Sequence, residues 1–174
     1  MRHALVVGAQ GVGKSTLIQR VLRELDRPVF GFETKRETAL ADETGDCPIY
    51  IYEAGKPHVR TEENLVGRSG NGRFAVFPEA FERYAAKLRA PAPKNAVIEL
   101  DELGFLESAA EGFCATVLEL LDGTVPVIAA VKNKDTAFLG AVRRHENCRC
   151  FTITPQNRDA LYTEVLAFLK TQLT

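Results

Sequence analysis

Residues Gly8 to Thr16, GAQGVGKST, constrain this chain more than any other stretch. Gly8, Gly11 and Gly13 fall within six residues, and glycine adopts positive φ without the Cβ clash that other residues meet. Such a loop can turn its peptide N–H groups inward as an anion-binding concavity. The flanks agree with a tight connection between two regular elements. His3-Ala4-Leu5-Val6-Val7 is a short apolar run that reads as a buried strand. From Lys14 to Leu25, residues Leu17, Ile18, Val21, Leu22 and Leu25 recur at helical spacing. Gly8, Gly13, Lys14 and Ser15 occupy the defining positions of G-x-x-x-x-G-K-[ST], a loop that cradles nucleotide phosphates at a helix N-terminus. Gly8, Ala9, Gln10, Gly11, Val12, Gly13, Lys14, Ser15 and Thr16 are therefore candidate phosphate-binding residues. Lys14 would reach the β and γ oxygens, and the Ser15 hydroxyl would hold Mg²⁺.

Composition narrows the partners. At 174 residues the chain suits one domain, and its net charge of −1 offers no basic footprint for nucleic acid. No apolar run approaches the ~20 residues of a membrane span, and the first residues lack a charged-then-apolar targeting pattern. Cys47, Cys114, Cys148 and Cys150 then read as free thiols in a reducing cytoplasm. Cys148-x-Cys150 has no second Cys or His pair at zinc spacing. His3, His58 and His145 are scattered and read as surface or packing residues.

Pro28 to Thr34 reads as a second strand. From about residue 37 to 77 the βα rhythm gives way to a strand-rich insertion on one edge of the sheet. Its expected strands are Pro48–Tyr52 and Arg73–Phe77, and Gly67-Arg68-Ser69-Gly70-Asn71-Gly72 reads as a turn-rich loop. Helical spacing returns over Pro78–Leu88, and Ala90-Pro91-Ala92-Pro93 is a stiff linker. A strand over Ala96–Asp101, a helix over Ser108–Leu121 and an apolar strand over Val125–Val131 follow. A short helix near Ala137–Arg144, a strand over Cys148–Ile153 and a helix over about Asn157–Gln172 complete the chain. Alternating strands and helices predict an α/β sheet covered on both faces, with ligand at the strands' carboxyl ends.

The second informative stretch is Ala96-Val97-Ile98-Glu99-Leu100-Asp101-Glu102. A buried strand ending in Asp101 places a carboxylate where it can support Mg²⁺ opposite Ser15. Glu102, one residue further, can reach a water in line with the γ-phosphate and take its proton. Lys14 and Glu102 are thus the candidate catalytic residues, and Ser15 and Asp101 the candidate metal ligands. Strand alternation puts Glu99 on the face of Asp101, roughly 7 Å below it. A carboxylate there must be paired or protonated, and a Lys, Arg or hydroxyl partner is expected.

Four segments in this order carry a resemblance: the glycine loop, Gly31-Phe32-Glu33-Thr34-Lys35-Arg36, Asp101-Glu102-Leu103-Gly104-Phe105-Leu106-Glu107 and Gln156-Asn157-Arg158-Asp159-Ala160-Leu161. Across nearly its whole length the chain resembles the small P-loop nucleoside-triphosphatase family first described from thermophiles, which has a cancer-related human relative. The resemblance implies Mg²⁺-dependent hydrolysis of nucleoside triphosphates, ATP and GTP among them, with loose base preference and slow turnover. It also implies a RecA-like three-layer α/β/α fold with central strand order 5-1-4-3-2. Glu99 departs from the apolar residue expected before the acidic pair, and the insertion carries few recognisable family residues.

Asn157 and Arg158 open the last helix, where they can line the base or ribose, bring positive charge to the phosphates, or act as a cap and a surface arginine. Arg36, Arg68, Arg73, Arg158, Lys132 and Lys134 are candidates for a charge-stabilising cation. Arg68 and Arg73 lie in a loop that can close over a nucleotide. Two other functions share these features: a kinase acting on a small molecule or nucleotide, and a switch whose hydrolysis times binding to a protein partner. Asn133-Lys134-Asp135 lacks the residue that would put Asp135 in register with guanine. The expectation is a monomer or weak oligomer, with a protein partner left open.

Overall fold

The computed structural model describes residues 1–174. The chain opens with β1 (His3–Gly8), α1 (Lys14–Leu25) and β2 (Val29–Arg36). Three further strands follow without an intervening α-helix: β3 (Cys47–Glu53), β4 (Leu65–Gly70) and β5 (Arg73–Val76). Then come α2 (Pro78–Leu88), β6 (Val97–Leu103), α3 (Glu111–Asp122) and β7 (Val127–Lys132). The last elements are α4 (Ala137–Arg143), β8 (Cys148–Thr152) and α5 (Arg158–Gln172).

All eight strands join in one sheet, in the order β5-β4-β3-β2-β6-β7-β1-β8. Strands β8, β1, β7, β6 and β2 are parallel neighbours. Counted among themselves along the chain, they give the expected order 5-1-4-3-2. The insertion continues the sheet antiparallel beyond β2. Its strand count differs from expectation: the first four residues of the segment read as a turn-rich loop, Gly67–Gly70, belong to β4. The hairpin turn is only Asn71-Gly72, both at positive φ (50° and 74°), as a two-residue primed turn requires. Gly67 is there for close packing, since a Cβ would stand 2.6 Å from the Ala75 carbonyl oxygen.

Strand alternation divides the core. Ala4, Val6, Ile128 and Ala130 face α1 and α5, meeting Ile18, Val21, Leu161 and Val165. Leu5, Val7, Ala129 and Val131 face the opposite layer with Phe81, Phe113, Val117 and Leu139 from α2, α3 and α4. Strands buried on both faces read as near-continuous apolar runs, which is how β1 and β7 appear. Phe32 on β2 and Phe81 on α2 lie 5.4 and 5.1 Å from Phe113 on α3, tying one helical layer to the sheet. No helix is long and apolar enough to cross a membrane.

Candidate active site

The glycine loop leaves the carboxyl end of β1 and enters α1 through Gly13, whose φ of 106° places it in the left-handed region. No side chain caps this helix start, so its backbone N–H groups remain available to an anion. Arg158 lies alongside Gly13, its Nε 3.4 Å from where a Cβ would stand, an ordinary contact distance. That nitrogen donates to the Val12 carbonyl at 2.8 Å, laying Arg158 against the loop. Asn157 does not cap α5. Its Oδ1 accepts from the Thr154 N–H and its Nδ2 donates to the Thr152 carbonyl, both at 2.8 Å.

Lys14 is buried and turned back on its own loop. Its ammonium donates to the carbonyls of Gly8 at 3.0 Å and Ala9 at 2.8 Å. It also pairs with Glu102 at 3.2 Å, and Lys132 at the end of β7 reaches the other Glu102 oxygen at 3.2 Å. The geometry of β6 produces this contact. Leu100 registers with Ala129 but Leu103 with Val131, so β6 spends one more residue than β7 over Asp101 and Glu102. A bulge of this kind re-aims side chains at a strand end. Asp101 is buried, whereas the Glu102 side chain keeps 24% of its surface exposed.

The Ser15 hydroxyl donates to Asp101 Oδ1 at 3.0 Å. Burial raises the Asp101 pKa to about 6 against the Ser15 bond, and the nearby Glu102 and Glu33 carboxylates add to the rise. Glu99 is buried on the same side, and burial followed by the charges of Glu33 and Asp101 pushes it up to about 8. Its surroundings therefore favour the neutral acid over the carboxylate. Its partner is an amide and not the expected Lys, Arg or hydroxyl: Gln19 Nε2 donates to Glu99 Oε1 at 2.6 Å. Gln19 also reaches Glu33 at 3.3 Å, and Glu33 pairs with His58 at 2.8 Å. Gln19 stands one helical turn after Ser15, the one sequence signal that could have placed it here.

A cleft of about 410 Å³ opens beside Glu102, bounded by Gln10 of the loop, Arg36 of β2, and Arg73 and Phe74 of β5. Its other wall is the Gly104–Glu107 segment and Lys132. Glu107 is buried; its carboxylate accepts from the Gly104 N–H, and burial pushes its pKa up to about 7. Arg68 is held outside this cleft by Asp42 at 3.2 Å, so it and Arg73 are strand residues of the hairpin, not one mobile loop. Lys134 is exposed, its carbonyl engaged by Arg143.

The sequence model of the NTPase family matches residues 3–166. The chain belongs to that family. A mouse protein named cancer-related nucleoside-triphosphatase homolog is 29% identical over 99% of both chains. A protein of Aquifex aeolicus named nucleoside-triphosphatase THEP1 is 26% identical over 95% of this chain and 98% of its own. The crystal structure of THEP1 from Aquifex aeolicus superposes with a TM-score of 0.70 at 23% identity, covering 97% of this chain and 99% of that one. The solution structure of a human cancer-related nucleoside triphosphatase gives 0.72 at 21% identity and 98% of both chains. These two likenesses establish the fold.

Proposed function

We propose that this chain is a Mg²⁺-dependent nucleoside triphosphatase that uses Glu102 as general base and accepts several bases. The observation that carries the reading is Glu102 itself, held 3.2 Å from Lys14 at the mouth of the phosphate loop. Similarity to proteins named nucleoside-triphosphatases supports hydrolysis as the reaction class.

Each residue has a role that its position supports. The N–H groups of Gly8–Thr16 and the positive end of α1 would take the phosphate oxygens. Lys14 would exchange the Gly8 and Ala9 carbonyls and Glu102 for the β and γ oxygens, a stronger set of acceptors for an ammonium. That exchange frees Glu102 to accept a proton from the attacking water as the bond from the γ-phosphorus to its bridging oxygen breaks. Lys132 stays beside Glu102 and keeps it oriented. Arg158 adds positive charge next to Gly13.

Ser15 and Asp101 present hydroxyl and carboxylate oxygens on one side of the loop, donors suited to a hard cation. No cluster of three protein ligands stands ready, which fits Mg²⁺, an ion that keeps waters and takes phosphate oxygens. Held there, Mg²⁺ would neutralise charge on the β and γ oxygens. The Asn157 amide is committed at both ends to backbone and so offers no free group to read a base.

The test is phosphate release from ATP, GTP, CTP and UTP with Mg²⁺, in wild type and Glu102→Gln. The expected result is release from several nucleotides, reduced by roughly 10²–10⁴-fold in the variant, as for loss of a general base. Nucleotide binding should persist. Equal turnover in the variant would overturn the assignment.

A further inference from the structure

We propose that the cleft beside Glu102 is a second-ligand pocket, which takes a nucleoside monophosphate while a triphosphate or diphosphate occupies the phosphate loop. The proposal rests on the triphosphatase reading for the direction in which the bound nucleotide runs. Lys14 meets the β and γ oxygens, so the γ end lies toward Glu102 and the sugar and base leave at the other end of the loop. The cleft begins where the γ-phosphate ends, at Gln10 and Glu102, and is lined by no residue from Gly11 to Thr16. The base of the first nucleotide therefore does not fill it.

Its walls have the chemistry of a nucleotide site. Arg73 lines it without pairing to any carboxylate, in contrast to Arg68, which Asp42 neutralises. Arg36 is braced by Ser69, its Nε donating to the hydroxyl at 2.8 Å and a terminal nitrogen to the carbonyl at 3.0 Å. Two guanidinium groups, one of them already fixed in orientation, suit a phosphate, which accepts paired N–H bonds. The acids in the lining do not cancel them: Glu102 keeps Lys132 at 3.2 Å when Lys14 turns to the phosphates, and Glu107 is buried against the Gly104 N–H. Phe74 is 59% exposed on the outermost strand, its ring edge-on to Phe105 with centroids 4.9 Å apart. It is the only aromatic among the exposed large apolar residues, and a purine or pyrimidine can stack on such a ring. The volume of about 410 Å³ lies within the ordinary range of small-molecule sites. An occupant here would stand between Glu102 and bulk water, so it should slow hydrolysis without competing for the phosphate loop.

Calorimetric titration of AMP, GMP, CMP and UMP into protein saturated with ADP and Mg²⁺ tests this. At least one monophosphate should bind with ADP still in place, and Phe74→Ala should weaken it roughly tenfold, as loss of one stacking ring does. Arg73→Ala should weaken it as well, while ADP affinity stays unchanged in both variants. In turnover assays the same monophosphate should lower the maximal rate of phosphate release and leave the KM for ATP unchanged. Displacement of ADP, or no binding of any monophosphate at millimolar concentration, would overturn the proposal. The calorimetric result does not depend on Glu102, so it separates failure of this pocket from failure of the triphosphatase reading.

Discussion

Lys14 holds three acceptors at once: two carbonyls of its own loop and the Glu102 carboxylate. Binding an anion must therefore rearrange this one ammonium, and its loss should be felt by every nucleotide alike. Lys14→Ala is expected to weaken ADP binding by about 2–5 kcal/mol, the usual cost of removing one member of a buried charged pair. Calorimetry with ADP and GDP would measure it. His3 makes a different prediction. It is fully buried, accepts from the Val127 N–H through Nδ1 at 3.1 Å, and so donates from Nε2 to the Leu121 carbonyl at 2.9 Å. Burial lowers its pKa from 6.5 to about 4. The folded ring stays neutral in a range where the unfolded ring takes a proton. Its stabilisation is thus complete above pH 6.5 and is lost as pH falls toward 4. His3→Gln keeps a donor and an acceptor but does not titrate. The difference in urea midpoint between wild type and H3Q should therefore shift against wild type across that window. Much of the site was legible at this scale because its signals are local: the spacing of Gly8, Gly13, Lys14 and Ser15, and an Asp-Glu pair ending an apolar strand. Gln19 was not legible as the partner of Glu99, because 80 residues separate them and only the packing of α1 on β6 joins them.

Among the elements, α3 enters the core through Phe113, with Val117 and Leu121 beside it. Phe113 is fully buried and meets both Phe32 of β2 and Phe81 of α2. Phe113→Ala is expected to cost about 3–5 kcal/mol, the range for emptying an aromatic site in a packed core. Urea unfolding with an unchanged m-value would read it as stability alone. The helices and parallel strands followed from their apolar period, because burial on one stripe or on both faces leaves a clear pattern. β4 escaped that reading. Leu65-Val66-Gly67-Arg68-Ser69-Gly70 has two glycines and an arginine, and its strand character comes from its neighbours β3 and β5. The turn signal was present immediately after it, in Asn71-Gly72, but the run Ser69-Gly70-Asn71-Gly72 of turn-forming residues concealed which pair makes the turn.

For the whole molecule, the phosphate loop contacts two distant parts of the chain, β6 through Glu102 and α5 through Arg158, and Glu102 in turn ties it to β7 through Lys132. A ligand seated there should stabilise the global fold and not just one loop. With ATP and Mg²⁺ at about 100 times the dissociation constant, the gain should be about 2.7 kcal/mol. It would be measured as a rise in Tm, and a chelator should remove most of that rise if Ser15 and Asp101 act as proposed.

The sheet order has a consequence for how the protein is made. β1 precedes every other strand in the sequence, yet both of its neighbours, β7 and β8, lie more than 115 residues further along. Until those strands leave the ribosome, Leu5, Val6 and Val7 have no native strand partners, and an unpaired apolar strand is a hazard for association with other nascent chains. Non-local pairing of this kind slows folding as well. The glycine loop is therefore translated well before the sheet that supports it can be completed. A nascent chain should gain its grip on nucleotide only after β7 and β8 have left the ribosome.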